Sequence, residues 1–189
     1  SGDAYVKGIQ GTIIEPNKFL KVFQTVDPAA STREGPADEY VFQNSDRDFS
    51  YSVISTWGVT PEYDLFWLGM WRGQVEIPEL LKTVAREYRY WRPDYLTCES
   101  NGPGAGVYQM LVNKGFTVKG LFKVTDKLIN ATEAIIRMAQ GKIYLPEDAP
   151  WKKDVMDEIF FWIGHPHERD DIIDTLSDAA REVDWASAP

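Results

Sequence analysis

Tyr51-Ser52-Val53-Ile54-Ser55-Thr56-Trp57-Gly58-Val59 alternates, with Tyr51, Val53, Ser55, Trp57 and Val59 on one side and Ser52, Ile54 and Thr56 on the other. A period of two is that of a β-strand. Thr60-Pro61-Glu62 reads as a turn, and Asp64 to Trp71 as a second strand, apolar on both faces and closed by Arg72-Gly73-Gln74. Upstream, Lys21 to Val26 is a short β-rich run that stops at Asp27-Pro28, because proline cannot donate to a ladder. Three such runs in succession predict an antiparallel meander.

Downstream the period changes. Ile77, Leu80, Leu81, Val84, Tyr88 and Trp91 recur at helical spacing, with Pro78 in the first turn and Arg92-Pro93-Asp94 at the end. Tyr95 to Glu99 is a strand that follows a helix, so it should lie parallel to the first strand. After the glycine-rich turn Asn101 to Gly106 come a helix from Val107 to Asn113, a strand from Phe116 to Phe122 and a helix from Asp126 to Gln140. A short strand from Lys142 to Leu145, a helix from Trp151 to Ile163 and a last helix from Asp170 to Val183 complete the chain. The fold class is α/β: a mixed sheet, antiparallel in its first three strands and parallel afterwards, flanked by helices. It is not doubly wound from its first strand.

The chain has 189 residues, 43% hydrophobic and 26% charged, with seven Trp, nine Tyr and nine Phe. That length suits one domain, spanning 1–189, and that apolar content excludes wholesale disorder. Cys98 is the one cysteine, so neither an intrachain disulfide nor a cysteine zinc cluster is available. No run approaches a membrane span, no signal peptide opens the chain, and the Ser1-Gly2 start reads as that of a processed or excised piece. A formal charge of −9 opposes simple electrostatic binding of nucleic acid.

Acids stand where chemistry is usually placed. Asp27 ends the first strand and Glu99 ends the strand expected beside it; Glu168-Arg169-Asp170-Asp171-Ile172-Ile173-Asp174 opens the last helix, with Asp171 and Asp174 on one face. Asp27 also fits a turn, and Asp170, Asp171 and Asp174 also fit helix capping or a solvated first turn. A group of such carboxylates repels itself unless cations neutralise it, and all-oxygen donor sets suit magnesium or manganese. Two such ions clamp the attacking and leaving oxygens of a phosphodiester.

Val26-Asp27-Pro28-Ala29 resembles the first acidic strand of the nuclease domain of viral large terminase subunits, best known from tailed bacteriophages. Leu96 to Gly104 is similar to the second acidic strand and its small-residue turn, and Arg169 to Leu176 to the paired-Asp helix start. Asp126-Lys127 and Gly141 to Pro146 fall in the right order between them, so the likeness runs over roughly residues 20–182. It implies an RNase H-like fold and metal-dependent cleavage of double-stranded DNA during genome packaging. It also implies Asp27, Glu99 and one of Asp170 and Asp171 as catalytic ligands, Asp171 being favoured because it keeps the i, i+3 relation to Asp174. Two Mg2+ or Mn2+ ions, a DNA contact at Lys127, and the terminase ATPase domain, small subunit and portal as partners in the host cytoplasm belong to the same implication. Asn130 stands where the family often has Arg, and no Gly-x-x-x-x-Gly-Lys-Ser/Thr run is present, so the family's ATPase motor is absent from these residues. A junction resolvase and a catalytically silent interaction domain on the same fold are the alternatives.

Other features have plainer readings. His165-Pro166-His167 lacks further zinc ligands, Cys98 lacks a neighbouring His, and Trp57, Trp67, Trp71 and Trp91 sit at core spacing. Lys82, Arg86 and Arg89 form a solvated helix face.

Overall fold

The computed structural model describes residues 6–7, 13–14, 19–29, 51–124, 126–164 and 169–187, with backbone alone at 6–7, 13–14 and 184–187. The expected loop at 31–49 and the His165-Pro166-His167 motif lie outside the described residues. The strands are β1 (Val6–Lys7), β2 (Ile13–Ile14), β3 (Lys21–Asp27), β4 (Ser52–Val59), β5 (Leu65–Gly73), β6 (Tyr95–Glu99), β7 (Val118–Leu121) and β8 (Ile143–Tyr144). The helices are α1 (Ile77–Trp91), α2 (Ala105–Asn113), α3 (Lys127–Ala139), α4 (Lys152–Phe161) and α5 (Asp171–Ser187). β1 and β2 pair with each other; the other six strands form one sheet in the order β7-β6-β3-β4-β5-β8.

The meander is present: β3 runs antiparallel to β4, and β4 to β5. β6 lies parallel to β3, β7 parallel to β6, and β8 parallel to β5 at the far edge. The mixed α/β sheet read from the alternation is therefore the one that forms.

Both faces of the sheet are covered, and the period of two sorts side chains between them. Phe23, Val53, Trp57 and Tyr95 join Ile172, Leu176, Ala179, Ala180 and Val183 in the core under α5. Val26, Ile54, Leu96 and Cys98 join Leu80, Val84, Val107 and Leu111 in the core under α1 and α2. Asp27 and Glu99 have the parity of Phe23 and Tyr95, so the strand pleat sends both towards α5.

α5 is docked by polar contacts as well as by its apolar stripe. Ser55 Oγ and Thr175 Oγ1 share a buried hydrogen bond of 3.0 Å. Near its other end Glu182 accepts from the Tyr95 hydroxyl at 2.6 Å and pairs with Lys119 at 3.0 Å. Its first turn is capped from α4: Glu158 Oε1 accepts the Ile172 and Ile173 N–H groups at 2.7 and 3.0 Å. A carboxylate at a helix N-terminus satisfies orphan donors and meets the positive end of the helix dipole.

Several packing details come only with the tertiary structure. Leu128, Ile129, Ile135 and Ile136 on α3 are exposed, while Ala131 and Ala134 are buried. Small residues let α3 approach α5 closely, so its bulky residues turn outward. The helix read as Trp151 to Ile163 ends at Phe161; Val155 is buried and Ile159 packs on the core, but Trp162 is already extended backbone. Trp57 and Trp67 are core residues as expected, and the Trp91 ring covers Gly69, where a Cβ would stand 2.5 Å from it. Lys82 pairs with Glu79 and Arg86 with Glu87 on the exposed face of α1.

Candidate active site

Val26 pairs with Cys98, so Asp27 and Glu99 are the next residues along two neighbouring parallel strands. The space beyond these strand ends is roofed by the first half of α5. Three acids of that helix, Asp171, Asp174 and Asp178, recur at spacings of three and four and so lie along one face.

The centre of the group is a lysine. Lys123, two residues beyond β7, places its Nζ 3.1 Å from Asp27 Oδ1 and 3.2 Å from Asp178 Oδ2. Its side chain is 11% exposed, against 13% for Asp27 and 3% for Asp178. Asn101 fixes this lysine from the end of β6. Its amide donates to the Lys123 carbonyl at 2.9 Å and its carbonyl accepts the Lys123 N–H at 2.8 Å.

The electrostatics follow from burial and crowding. Burial pushes Asp27 up to about 6, with Lys123 opposing and Asp178 adding to the rise. Burial and then Asp27 push Asp174 up to about 7. Burial also pushes Asp178 up to about 6, against the pull of Lys123. Burial disfavours the Lys123 ammonium, but Asp27, Asp178 and Asp174 outweigh it and hold the ammonium well above the ordinary lysine range. Carboxyls raised chiefly by burial, beside a lysine that stays charged, mark a poorly solvated cluster in which several acids crowd one cation.

The other predicted residues lie around this centre. Asp171 is 3.3 Å from Arg72, whose guanidinium also lies 3.7 Å from Glu158 and over the Tyr51 ring at 4.1 Å. Burial raises Asp171, and the bonds from Arg72 and the Tyr51 N–H limit the rise. Asp170 is 9% exposed and pairs with Lys127. Lys127, expected at DNA, is thus engaged with an acid of the helix start.

Glu99 lies against the glycine turn. A Cβ on Gly102, whose φ is +60°, would stand 2.8 Å from Glu99 Oε1, and one on Gly104 would stand 2.7 Å from Glu99 Cβ. The two glycines let the main chain close over this carboxylate; they form no phosphate cradle. Cys98 is fully buried and points into the opposite core; burial first, then Asp27, pushes its thiol up to about 12, which leaves it inert as a nucleophile. Among the described residues no three His, Cys, Asp or Glu side chains stand arranged to hold a metal ion.

The architecture has counterparts among solved structures. The large terminase nuclease of thermophilic phage G20c with bound zinc superposes with a TM-score of 0.59 at 18% identity, over 71% of this chain and 75% of that one. The magnesium-bound form of that nuclease gives 0.57 at 16% identity, over 74% and 78%. The manganese-soaked human cytomegalovirus terminase nuclease domain gives 0.61 at 14% identity, over 87% and 84%. The fold is that of the large terminase nuclease domains. No protein-family model and no curated protein sequence matches the chain.

On this terminase nuclease fold, the residues at the strand ends fit a hard divalent ion by donor chemistry. Asp27 on β3 and Asp174 and Asp178 on α5 offer oxygen alone, and Asp178 Oδ2 is buried with Lys123 paired to it at 3.2 Å. The structure thus gathers Asp27 with Asp174, flanks them with the Asp171–Arg72 and Asp170–Lys127 pairs, and leaves Glu99 on the glycine turn. Sequence reasoning missed Lys123 and Asp178. Asp178 had a signal, since it continues the Asp171, Asp174 stripe by four residues. Lys123 had none: it follows an edge strand and reaches the site only through the pairing of β7 with β6.

Proposed function

We propose that this chain is a single nuclease domain that hydrolyses phosphodiester bonds of double-stranded DNA with divalent metal ions, as the cutting part of a large terminase in viral genome packaging. The observation that carries this reading is the buried carboxylate group formed by Asp27 at a strand end and Asp174 and Asp178 on α5, on a fold shared with nucleases that bind zinc, magnesium and manganese. Two divalent ions, Mg2+ or Mn2+, would supply the clamp on the attacking and leaving oxygens.

The chain's own residues do the positioning. Asp27 and Glu99 are offered by adjacent strand ends, which are rigid, and Asp171 and Asp174 by a helix whose start is capped by Glu158. Arg72 holds Asp171, and Lys127 holds Asp170, so one acid of the helix start is kept beside the cluster and the other at its rim. Asp27, Glu99 and Asp171 are the proposed catalytic ligands, with Asp170, Asp174 and the buried Asp178 completing the set. Cleavage of this kind acts on a backbone common to every sequence, so little sequence preference is expected. The net charge of −9 means that affinity for DNA comes largely from elsewhere. The terminase ATPase domain, small subunit and portal, in the host cytoplasm, are the proposed source. No helix among the described residues is long and apolar enough to cross a membrane.

The test is nicking of supercoiled plasmid in Mn2+ or Mg2+ against EDTA, with Asp27→Asn beside the wild type. Metal-dependent nicking that Asp27→Asn abolishes, in a variant that still melts cooperatively, is expected. Preference for four-way junctions over plain duplex would assign the fold to a resolvase, and complete inactivity to a silent interaction domain.

A further inference from the structure

The ion pairs around the cluster sort its charges. Arg72 answers Asp171 at 3.3 Å, and Lys127 answers Asp170. Glu99 rests on the glycine turn. Asp27, Asp174 and Asp178 remain, with Lys123 as their shared cation. Three carboxylates share the one buried ammonium, while Lys127 and Arg181 also act on Asp174 and Asp178, so the formal negative surplus is at most two, which one divalent ion balances. A second divalent ion would meet the ammonium as a like charge in a poorly solvated space, where repulsion is much stronger than in water.

Lys123 is also built in. Its main chain is clamped by both ends of the Asn101 side chain, and its own side chain is almost wholly buried. Asp178 Oδ2 is buried and ion-paired with the ammonium at 3.2 Å, so a divalent ion that reaches this oxygen meets Lys123 already on it.

We propose that Lys123 is a resident cation that contends with divalent ions for Asp27, Asp174 and Asp178, so that the cluster accepts one ion with Lys123 in place and a second only by displacing it. The proposal rests on the metal-dependent reading given above. It makes Lys123 a determinant of how many ions the site takes and at what concentration, a role distinct from contact with DNA.

The experiment is calorimetric titration of the protein with MnCl2 at pH 8, for the wild type, Lys123→Met and Lys123→Arg. Lys123→Met keeps the length of the side chain and removes the charge. Its affinity for Mn2+ should rise about tenfold or more, with the weaker binding step most affected. Lys123→Arg keeps the charge and should show no tightening. A folded Lys123→Met whose Mn2+ affinity equals or falls below that of the wild type overturns the proposal, because Lys123 is then a fixed structural counter-ion. If Lys123→Met is unfolded without ions, circular dichroism replaces the heat signal. Refolding at lower Mn2+ than shifts the wild type supports the proposal, and failure to refold overturns it. Binding by Lys123→Met alone supports the competition while counting against a metal-loaded wild type. Binding by neither protein sinks both this proposal and the metal-dependent reading, whereas equal binding by both sinks only this one.

Discussion

Replacing Asp174 with Asn tests whether the carboxylate cluster is held together against its own repulsion. The Asp174 carboxyl is pushed up to about 7 by burial and by Asp27, with Lys123 pulling the other way. In an unfolded chain the same group loses its proton near pH ~3.9. The folded value is the higher one, so between roughly pH 4 and 7 the native state holds a proton that the unfolded chain has released. Stability is therefore fully present below that window and is lost as the pH rises through it. One bound proton is worth about 1.4 kcal/mol per pH unit, and a window of about three units sets a ceiling of about 4 kcal/mol. Asp27 shares the repulsion, so a single substitution should recover less, about 1–2 kcal/mol. Asn has nearly the shape of protonated Asp and does not ionise. Asp174→Asn should thus come close to the wild type at pH 4 and exceed it by about 1–2 kcal/mol at pH 8 in EDTA, measured by urea unfolding with tryptophan fluorescence. Added Mn2+ should narrow the gap, since binding stabilises the wild type more. A variant less stable than the wild type at pH 8, or a difference that is the same at both pH values, refutes the reasoning: attraction to Lys123 would then dominate Asp174.

Glu158→Ala removes the buried acceptor of two α5 N–H groups and a partner of Arg72, and should cost about 2–3 kcal/mol in the same unfolding assay; a loss under about 0.5 kcal/mol would mean that water caps the helix equally well. Gly104→Ala places a methyl group 2.7 Å from Glu99 Cβ, so a destabilisation of about 1–3 kcal/mol is expected together with a fall in nicking, and a neutral result would show that the turn yields freely. Lys127→Ala leaves Asp170 without its cation, and nicking should weaken about equally on all sequences. Cut ends mapped on a long random duplex check this, and a change in sequence preference would show that Lys127 reads bases.

From β3 onward the order of elements, the switch from antiparallel to parallel pairing, and the placing of Asp27 and Glu99 on neighbouring strand ends were legible in the sequence, whereas the β1–β2 pair was not. Each follows from a short-range rule: the period of two against 3.6, proline ending a strand, and a helix between strands forcing a parallel return. The face shared by Asp171 and Asp174 was legible for the same reason. Which cation meets which acid was not. Lys123 and Asp27 are 96 residues apart and Arg72 and Asp171 are 99 apart, and nothing local to any of them encodes the partner. The outward turn of the α3 isoleucines was hidden as well, because periodicity marks an apolar face but cannot say that a neighbouring helix prefers the alanines. Burial likewise raises Asp27, Asp174 and Asp178 only once α5 lies over the sheet and takes them out of water. The chain alone determined that acids would gather at the strand ends. Only the tertiary structure decided that a lysine stands among them, because that depends on the pairing of an edge strand and on the side-chain amide of Asn101 that holds the chain beyond it.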